Sequence, residues 1–218
     1  RQIFQVEPFF YANARLILYR VLFFFLVHLE KELRTHCEAE FKLLGAEIPA
    51  TPAQIPVMTL REAQKLITKE TGNDCTKEPD LEPEHERWLC AYAKEKMNSD
   101  FIFITEYPTS KRPFYTMKKD DDAEHTKSFD LLFRGVEITS GAQRVHDYET
   151  LVTAMQDKKL DPEKFSYYLQ AFKYGMPPHG GLGLGLERLT AKMLGIANVK
   201  EATLFPRDLN RIDTLLSK

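Results

Sequence analysis

The stretch YGMPPHGGLGLGLERLTAKML, residues 174–194, decides how the rest of the chain is arranged. Its central glycines have no Cβ, so a ligand or a neighbouring strand can approach their backbone closely. These glycines are Gly180, Gly181, Gly183 and Gly185. Apolar residues then recur at helical spacing, at Leu186, Leu189, Met193 and Leu194, before a helix stop at Gly195. We therefore predict a glycine-rich strand that runs directly into an amphipathic helix.

Arg188 falls in the first turn of that predicted helix, where the helix dipole opposes a positive charge. The helix gains nothing from this arginine, which favours a role toward an anionic ligand. The spacing fits neither a Walker A loop nor the dinucleotide-binding GxGxxG pattern. The alternative is a tightly packed glycine strand with Arg188 in a surface ion pair, and the glycines alone do not separate the two.

Composition limits the class of protein. The chain has 218 residues, 43% of them hydrophobic, which is enough for a core, and one domain is the default expectation. A formal net charge of −2 gives no global basic field for nucleic acid. The three cysteines form no CxxC pair, which disfavours a disulfide framework or a zinc site and suits a reducing compartment. The most apolar run, residues 16–29, is too short and too polar to span a bilayer.

Changes of period along the chain predict helices first and strands later. Helices are expected at 14–41, after a capping box of Thr59 and Glu62, from Pro83, at 148–158 and at 162–173. Strands are expected at 2–10, 101–105, 114–117, 128–133 and 136–140.

The segment SFDLLFRGVEITSGAQR, residues 128–144, predicts a hairpin with a two-residue Arg134-Gly135 loop. In that register Phe133 faces Val136, Leu132 faces Glu137, Leu131 faces Ile138 and Asp130 faces Thr139. One face is then apolar, and the other carries two carboxylates, Asp130 and Glu137.

Like charges on one face raise each other's pKa unless a cation intervenes. A Mg²⁺ ion, bound through one or two carboxylates and completed by substrate phosphates, would supply that cation. The alternative is an exposed face on which Asp130 and Glu137 each pair with a lysine or an arginine. Arg144 follows on the same segment and could hold a carboxylate through two hydrogen bonds, or form a surface ion pair.

Several long motifs occur together and in order. They are RPFYTM (112–117), FDLLFRGVEITSGAQRVH (129–146), KYGMPPHGGLGLGLERL (173–189) and FPRD (205–208). Over roughly residues 59–213 the chain resembles the class II aminoacyl-tRNA synthetases, and most of all aspartyl-tRNA synthetases of the archaeal and eukaryotic type. The resemblance implies an α+β fold, an antiparallel β-sheet flanked by helices, that is dimeric in the family.

The resemblance also implies roles for individual residues. Arg188 matches the arginine that contacts the ATP γ-phosphate, and the ATP site would also include Gly185, Leu186 and Glu187. Glu137 matches the glutamate that binds Mg²⁺ with ATP, and Asp130 matches a second acid of that metal site. Ser140 matches a position at the metal and the amino acid, and Arg144 matches the arginine that reads the aspartate side chain. Arg188 and Glu137 would be the catalytic pair.

The implied activity is that of an aspartate-tRNA ligase. ATP and Mg²⁺ would activate L-aspartate to aspartyl-adenylate, and the aspartyl group would pass to tRNA, expected to be tRNA-Asp. We expect a cytoplasmic homodimer with no membrane partner. Two alternatives stay open: an asparaginyl-tRNA synthetase or asparagine-synthesising relative, and an inactive paralogue that serves as a binding or regulatory module.

Residues 1–218 are read as one synthetase-like catalytic domain that is incomplete. Motif 1, the amino-acid-binding QSP segment and the anticodon-binding barrel have no counterpart here. Motif 2 is largely absent, because Tyr11 stands where its Arg-x-Glu should begin. Either segments are absent from this sequence or the protein is a degenerate relative, and the abrupt join near Ala14 favours absent segments.

Overall fold

The computed structural model describes residues 14–206. The predicted strand at 2–10, the motif 2 reading at Tyr11 and the Arg207-Asp208 part of the FPRD motif lie outside these residues. The helices are α1 (Ala14–His36), α2 (Glu38–Leu44), α3 (Leu60–Thr71), α4 (Pro83–Met97), α5 (Tyr148–Asp157), α6 (Ser166–Lys173) and α7 (Leu186–Met193). The strands are β1 (Val57–Thr59), β2 (Phe101–Thr105), β3 (Ser128–Phe133), β4 (Val136–Arg144) and β5 (His179–Leu184). Short 3₁₀ helices cover Pro162–Phe165 and Val199–Ala202.

The strands form one sheet in the order β1-β2-β3-β4-β5. The pairs from β2 to β5 are antiparallel, as predicted, but β1 runs parallel to β2. The sheet is therefore mixed, because α3 and α4 carry the chain from β1 back to the same end of the sheet before β2 begins. The predicted α+β class, with helices flanking the sheet, is confirmed.

The hairpin between β3 and β4 has the predicted two-residue turn. Arg134 and Gly135 both have positive φ, at 44° and 87°, as a tight hairpin turn of this hand requires. Phe133 pairs with Val136 and Leu132 with Glu137, as predicted.

Beyond Glu137 the predicted register is wrong. A β-bulge at Ile138 makes Leu131 pair with Thr139 and Asp130 with Ser140. One extra residue in a strand reverses the side on which every later side chain points. Ser140, and not Thr139, is therefore the neighbour of Asp130.

The predicted strand at 114–117 is also wrong. This segment forms turns, with an isolated bridge between Thr116 and Arg144. Phe114 packs edge-on against Phe165 and Tyr168, so the aromatic residues of this segment anchor a loop. Periodicity alone did not reveal this, because a loop with aromatic anchors can alternate like a strand.

The helix predictions hold with local changes. Thr59 and Glu62 form the predicted capping box of α3, and Asp161 caps the 3₁₀ turn that precedes α6. The long helix expected at 14–41 breaks at Cys37. Within residues 14–206 no helix is both long and apolar enough to cross a membrane.

Apolar side chains cover both faces of the sheet. On one face α1 and α7 pack over Phe129, Leu131 and Phe133. On the other face α3 and α4 pack over Ile102, Ile104 and Leu132. A third cluster joins α5, α6 and the loop at 114–117. Since β3 is buried along its whole length, the alternative of an exposed face is wrong at Asp130, but the pairing of Asp130 with an arginine, which that alternative included, is observed with Arg112.

Candidate active site

Four predicted site residues lie on the β3-β4 hairpin. β3 supplies Asp130, and β4 supplies Glu137, Ser140 and Arg144. The bulge turns Ser140 toward Asp130, and β5 runs beside β4 so that Gly183 pairs with Ser140. The glycine strand and the carboxylate hairpin are therefore neighbours in one sheet.

Asp130 is buried and held by an arginine. Arg112 donates from Nη2 to Asp130 Oδ2 at 2.6 Å and from Nη1 to Ser140 Oγ at 3.1 Å. Its guanidinium carbon lies 3.9 Å from the centre of the Tyr107 ring. Burial raises the pKa of Tyr107 well above its ordinary value, and the Asp130 charge raises it further. Tyr107 is therefore a neutral platform under the ion pair.

Glu137 lies beside a second cation. Arg188, from the first turn of α7, donates from Nη1 to the backbone oxygen of Glu137 at 3.0 Å. Burial raises the pKa of Glu137 above 4.5 and the Asp130 charge adds to this, whereas Arg188 and Arg112 lower it. The sequence predicted that two acids on one face raise each other's pKa, and the Asp130 charge does raise the pKa of Glu137.

A third carboxylate, Glu86 of α4, completes this part of the site. Its Oε2 accepts a hydrogen bond from the backbone N–H of Glu137 at 3.3 Å. Burial raises the pKa of Glu86 above 4.5, and the Asp130 charge raises it further, whereas Arg188 lowers it. Three acids, Asp130, Glu137 and Glu86, and two arginines, Arg112 and Arg188, thus act on one another in this part of the site.

The donor set fits Mg²⁺ in one respect. Asp130 Oδ1 is buried and accepts no hydrogen bond from residues 14–206, so one carboxylate oxygen is unpaired and could be a ligand to a cation. The other oxygen of Asp130, and Ser140 Oγ, are already bonded to Arg112. Among residues 14–206 no three His, Cys, Asp or Glu side chains are arranged as a complete metal site. Any Mg²⁺ here would use one or two carboxylates and ligands from a substrate, as this ion commonly does.

A cavity of about 400 Å³ lies next to the acids. Its lining includes Ser140, Arg144, Lys111 and Arg112. The glycine strand forms one wall, and a Cβ on Gly181 would lie 2.7 Å from Arg144 Nη2. The Arg144 guanidinium lies 5.0 Å from the Tyr115 ring centre, so its plane is confined between an aromatic ring and a glycine. The cavity is rich in cations and suits an anionic small molecule.

The other predicted ATP-site residues lie where β5 meets α7. Gly185 is the N-cap of α7 and donates to the backbone oxygen of Ile138 at 2.8 Å. Glu187 and Leu186 lie in the first turn of α7 and are exposed. Leu186 was predicted on the buried stripe, but it is 62% exposed, while Leu189 and Met193 are buried.

Sequence reasoning missed three residues of the site. Arg112 and Lys111 lie at or beside the start of the RPFYTM motif, so the motif marked this position without giving either residue a role. Glu86 lies in a helix that carried no sign of chemistry. Only its distance from Glu137 in three dimensions reveals it.

Comparison with known proteins identifies the fold. Residues 11–209 match the family described as tRNA synthetases class II (D, K and N). The chain belongs to this family. The class II synthetase resemblance of the glycine strand, the hairpin and the Arg188 helix is thereby confirmed.

Individual class II synthetases are similar to this chain both in sequence and in three-dimensional structure. The aspartate–tRNA(Asp/Asn) ligase of Deinococcus radiodurans is 50% identical over 192 residues, covering 86% of this chain and 44% of that protein. Its counterpart in Thermus thermophilus is 51% identical over 184 residues, covering 84% and 42%. The solved aspartyl tRNA synthetase of Entamoeba histolytica superposes with a TM-score of 0.82 at 34% identity, covering 90% and 41% of the two chains. The chain therefore spans about two fifths of the length of these class II synthetases.

Proposed function

We propose that this chain is the catalytic region of an aspartate–tRNA ligase. The observation that carries the proposal is the junction of a cation-lined cavity, containing Ser140 and Arg144, with the acids and Arg188 at the neighbouring end of the hairpin. The cavity with Ser140 and Arg144 can hold an amino acid with an acidic side chain. The neighbouring acids and Arg188 can hold a nucleotide with its metal. Relatives at about 50% identity that are named aspartate–tRNA ligases support the same assignment.

The proposed chemistry needs two anions held together. The α-carboxylate of aspartate attacks the α-phosphorus of ATP and forms a new O–P bond. The P–O bond to pyrophosphate breaks, and pyrophosphate leaves with the electron pair. The aspartyl group then passes to a ribose hydroxyl of tRNA, and AMP leaves. No protein nucleophile is required, since positioning and charge neutralisation lower the barrier.

Each group of the chain has a proposed part in this reaction. Arg144 holds the side-chain carboxylate of aspartate through its fork of N–H donors. Arg188 neutralises the γ-phosphate of ATP, and Gly185, Leu186 and Glu187 lie against the nucleotide. Glu137, with Asp130 and Ser140, would hold Mg²⁺, which neutralises phosphate charge when bound.

Asparagine is the competing amino acid, because solved asparaginyl-tRNA synthetases share the fold. That of Pyrococcus horikoshii superposes with a TM-score of 0.80 at 26% identity, covering 89% of this chain and 46% of that one. The cavity favours aspartate on chemical grounds. Arg144, Arg112 and Lys111 line the cavity and can pair with the side-chain charge of aspartate, which asparagine lacks.

Amino-acid-dependent exchange of pyrophosphate into ATP tests this function. We expect exchange with aspartate and little with asparagine, in the complete protein that contains this chain. Arg188→Ala should lower exchange at least tenfold, because a phosphate charge loses its partner. Arg34→Ala, which changes an exposed arginine paired with Glu30 on α1, is the matched control.

Two results would contradict the proposal. Exchange with asparagine alone would make the protein an asparagine enzyme. No exchange with either amino acid would favour the inactive paralogue. Homodimer formation, tRNA-Asp as the acceptor and a cytoplasmic location stay predictions.

A further inference from the structure

The backbone of Glu137 lies just outside the region where β4 has a second neighbour. β5 pairs with β4 from Thr139 to Arg144, and the chain leaves the sheet at Gly185. Glu137 is half-buried, so its N–H and C=O groups need partners that β5 does not supply. The hydrogen bonds made by the Glu137 N–H and C=O determine how firmly the Glu137 carboxylate is held in one orientation.

Two side chains from distant elements supply these partners. Glu86, on α4, accepts from the N–H, and Arg188, on α7, donates to the C=O. One residue of the hairpin is thereby held from both sides by groups of opposite charge. Arg188 is a proposed phosphate ligand, so the same contact also fixes the distance between that ligand and Glu137.

Helix α4 is itself fixed against the hairpin turn. A Cβ on Gly135 would lie 3.1 Å from Arg87 Cγ, so the helix and the turn are in close contact next to Glu86. Glu86 also has a cost to the fold, since it brings a third carboxylate close to Asp130 and Glu137. A half-buried acid that destabilises the fold and also accepts a hydrogen bond from a backbone group of the site indicates a role in the site.

We propose that Glu86 is a positioning residue that fixes the Glu137 peptide, so that the Glu137 carboxylate and Arg188 face the same ligand. The role requires an acceptor at this place and not a charge. The identity of the ligand, Mg²⁺-ATP, rests on the proposed function. The effect of Glu86 on the hairpin rests on geometry alone.

Three variants separate this role from general stability. Glu86→Ala removes the acceptor, and Glu86→Gln keeps an amide oxygen in its place. Glu95→Ala is the control, since Glu95 is on the same helix and its side chain is 73% exposed. The readouts are amide hydrogen exchange of residues 131–141 without ligand, binding of Mg²⁺-ATP and of aspartate by calorimetry, and the melting temperature.

We expect Glu86→Ala to speed exchange in the hairpin and to weaken Mg²⁺-ATP binding by up to about tenfold, the upper end of the effect of losing one hydrogen bond. Aspartate binding should stay within about twofold, because Arg144 is anchored elsewhere. Glu86→Gln should keep hairpin exchange close to that of the unchanged protein and should bind Mg²⁺-ATP more tightly than Glu86→Ala does. Glu95→Ala should behave as the unchanged protein in every readout.

The inference fails if Glu86→Ala leaves hairpin exchange unchanged, or if Glu86→Gln is as defective as Glu86→Ala. It also fails if both ligands are weakened equally together with a large loss of melting temperature, since that is a structural defect. If the unchanged protein binds no Mg²⁺-ATP, the proposed function fails, while hydrogen exchange still decides whether Glu86 holds Glu137.

Discussion

Arg144 shows how a glycine can set the position of a charged group. Its guanidinium lies between the Tyr115 ring and the backbone of Gly181, where a Cβ would come within 2.7 Å of Nη2. Real Cβ atoms do not approach a neighbour so closely, so any larger residue at 181 must displace the arginine. A glycine at position 181 therefore leaves room for the Arg144 guanidinium, in addition to giving the backbone freedom.

Gly181→Ala should weaken aspartate binding by about tenfold or more, because a displaced guanidinium loses its paired hydrogen bonds. Gly183→Ala is the matched comparison, since Gly183 is on the same strand and its added Cβ would meet no atom of residues 14–206 within 4 Å. Calorimetry with aspartate measures both. Equal losses in the two variants would show that the added methyl obstructs the cavity and does not act through Arg144.

Glu137 is expected to reduce the stability of the free protein. Its pKa in the folded state is raised above 4.5, so the charged form is disfavoured by folding. The folded state is therefore penalised above the folded pKa, and the penalty disappears below the unfolded pKa.

Glu137→Gln should raise the melting temperature at pH 7 by about 1 to 3 °C, a small gain because Glu137 is still partly solvated. The gain should shrink as the pH falls and vanish below about pH 4.5, where the acid is protonated in both states. Scanning calorimetry from pH 4 to 8 measures it. A gain that is independent of pH would show that the amide improves packing and not charge.

The elements of this fold differ in how well the sequence predicts them. The Thr59 capping box, the Asp161 cap and the Arg134-Gly135 turn follow from local chemistry and were predicted at the right residues. The bulge at Ile138 has no local signal, because it depends on how β4 fits both β3 and β5. The same holds for the 114–117 segment, whose aromatic residues pack on α6 and its preceding turn.

The β3-β4 turn offers a test of element stability. Gly135→Ala should cost about 1 to 2 kcal/mol, from its positive φ and from contact with Arg87. Gly72→Ala is the control, since Gly72 has a similar φ of +79° and, in the described part of the chain, no atom lies within 4 Å of an added Cβ. Urea unfolding measures both. The Gly135 variant should lose more, and equal losses would mean that Arg87 moves away freely.

At the scale of the whole molecule, the site lies where separate packing units meet. The sheet carries one apolar cluster on each face, and a third cluster joins α5, α6 and the loop that ends in Met117. The loop that presents Arg112 to the site belongs in part to this third unit. Its order therefore depends on packing remote from Glu137.

Leu151→Ala should expose this dependence, because Leu151 is fully buried in the third cluster. We expect a loss of about 2 to 5 kcal/mol, the usual range for a buried leucine. Hydrogen exchange should rise in residues 145–176 and in the 112–117 loop while β2 and β3 stay protected. Leu44→Ala, at a 61% exposed leucine of α2, is the control. Faster exchange throughout the sheet would show a single cooperative unit.

The candidate site was predictable where residues are neighbours in sequence or follow a motif. Asp130, Glu137 and Arg188 were linked by the hairpin and by the glycine segment. Glu86 was not, since no sequence pattern places a helix of residues 83–97 under that turn. Contacts between distant elements decide which charges meet, and these depend on packing of the whole chain.

The bulge at Ile138 lets two residues that are three apart in the sequence share one face of the sheet. In a regular strand Glu137 and Ser140, three residues apart, would point to opposite faces. Because Ile138 is the extra residue of the bulge, its deletion would leave Thr139 beside Leu131 and Ser140 beside Asp130, and Glu137 and Ser140 would still share a face. The deletion would instead remove a buried side chain from the core cluster under α1 and the carbonyl that accepts from the Gly185 N–H. Position 138 therefore serves the core and the start of α7, whereas the pairing of Asp130 with Ser140 does not depend on it.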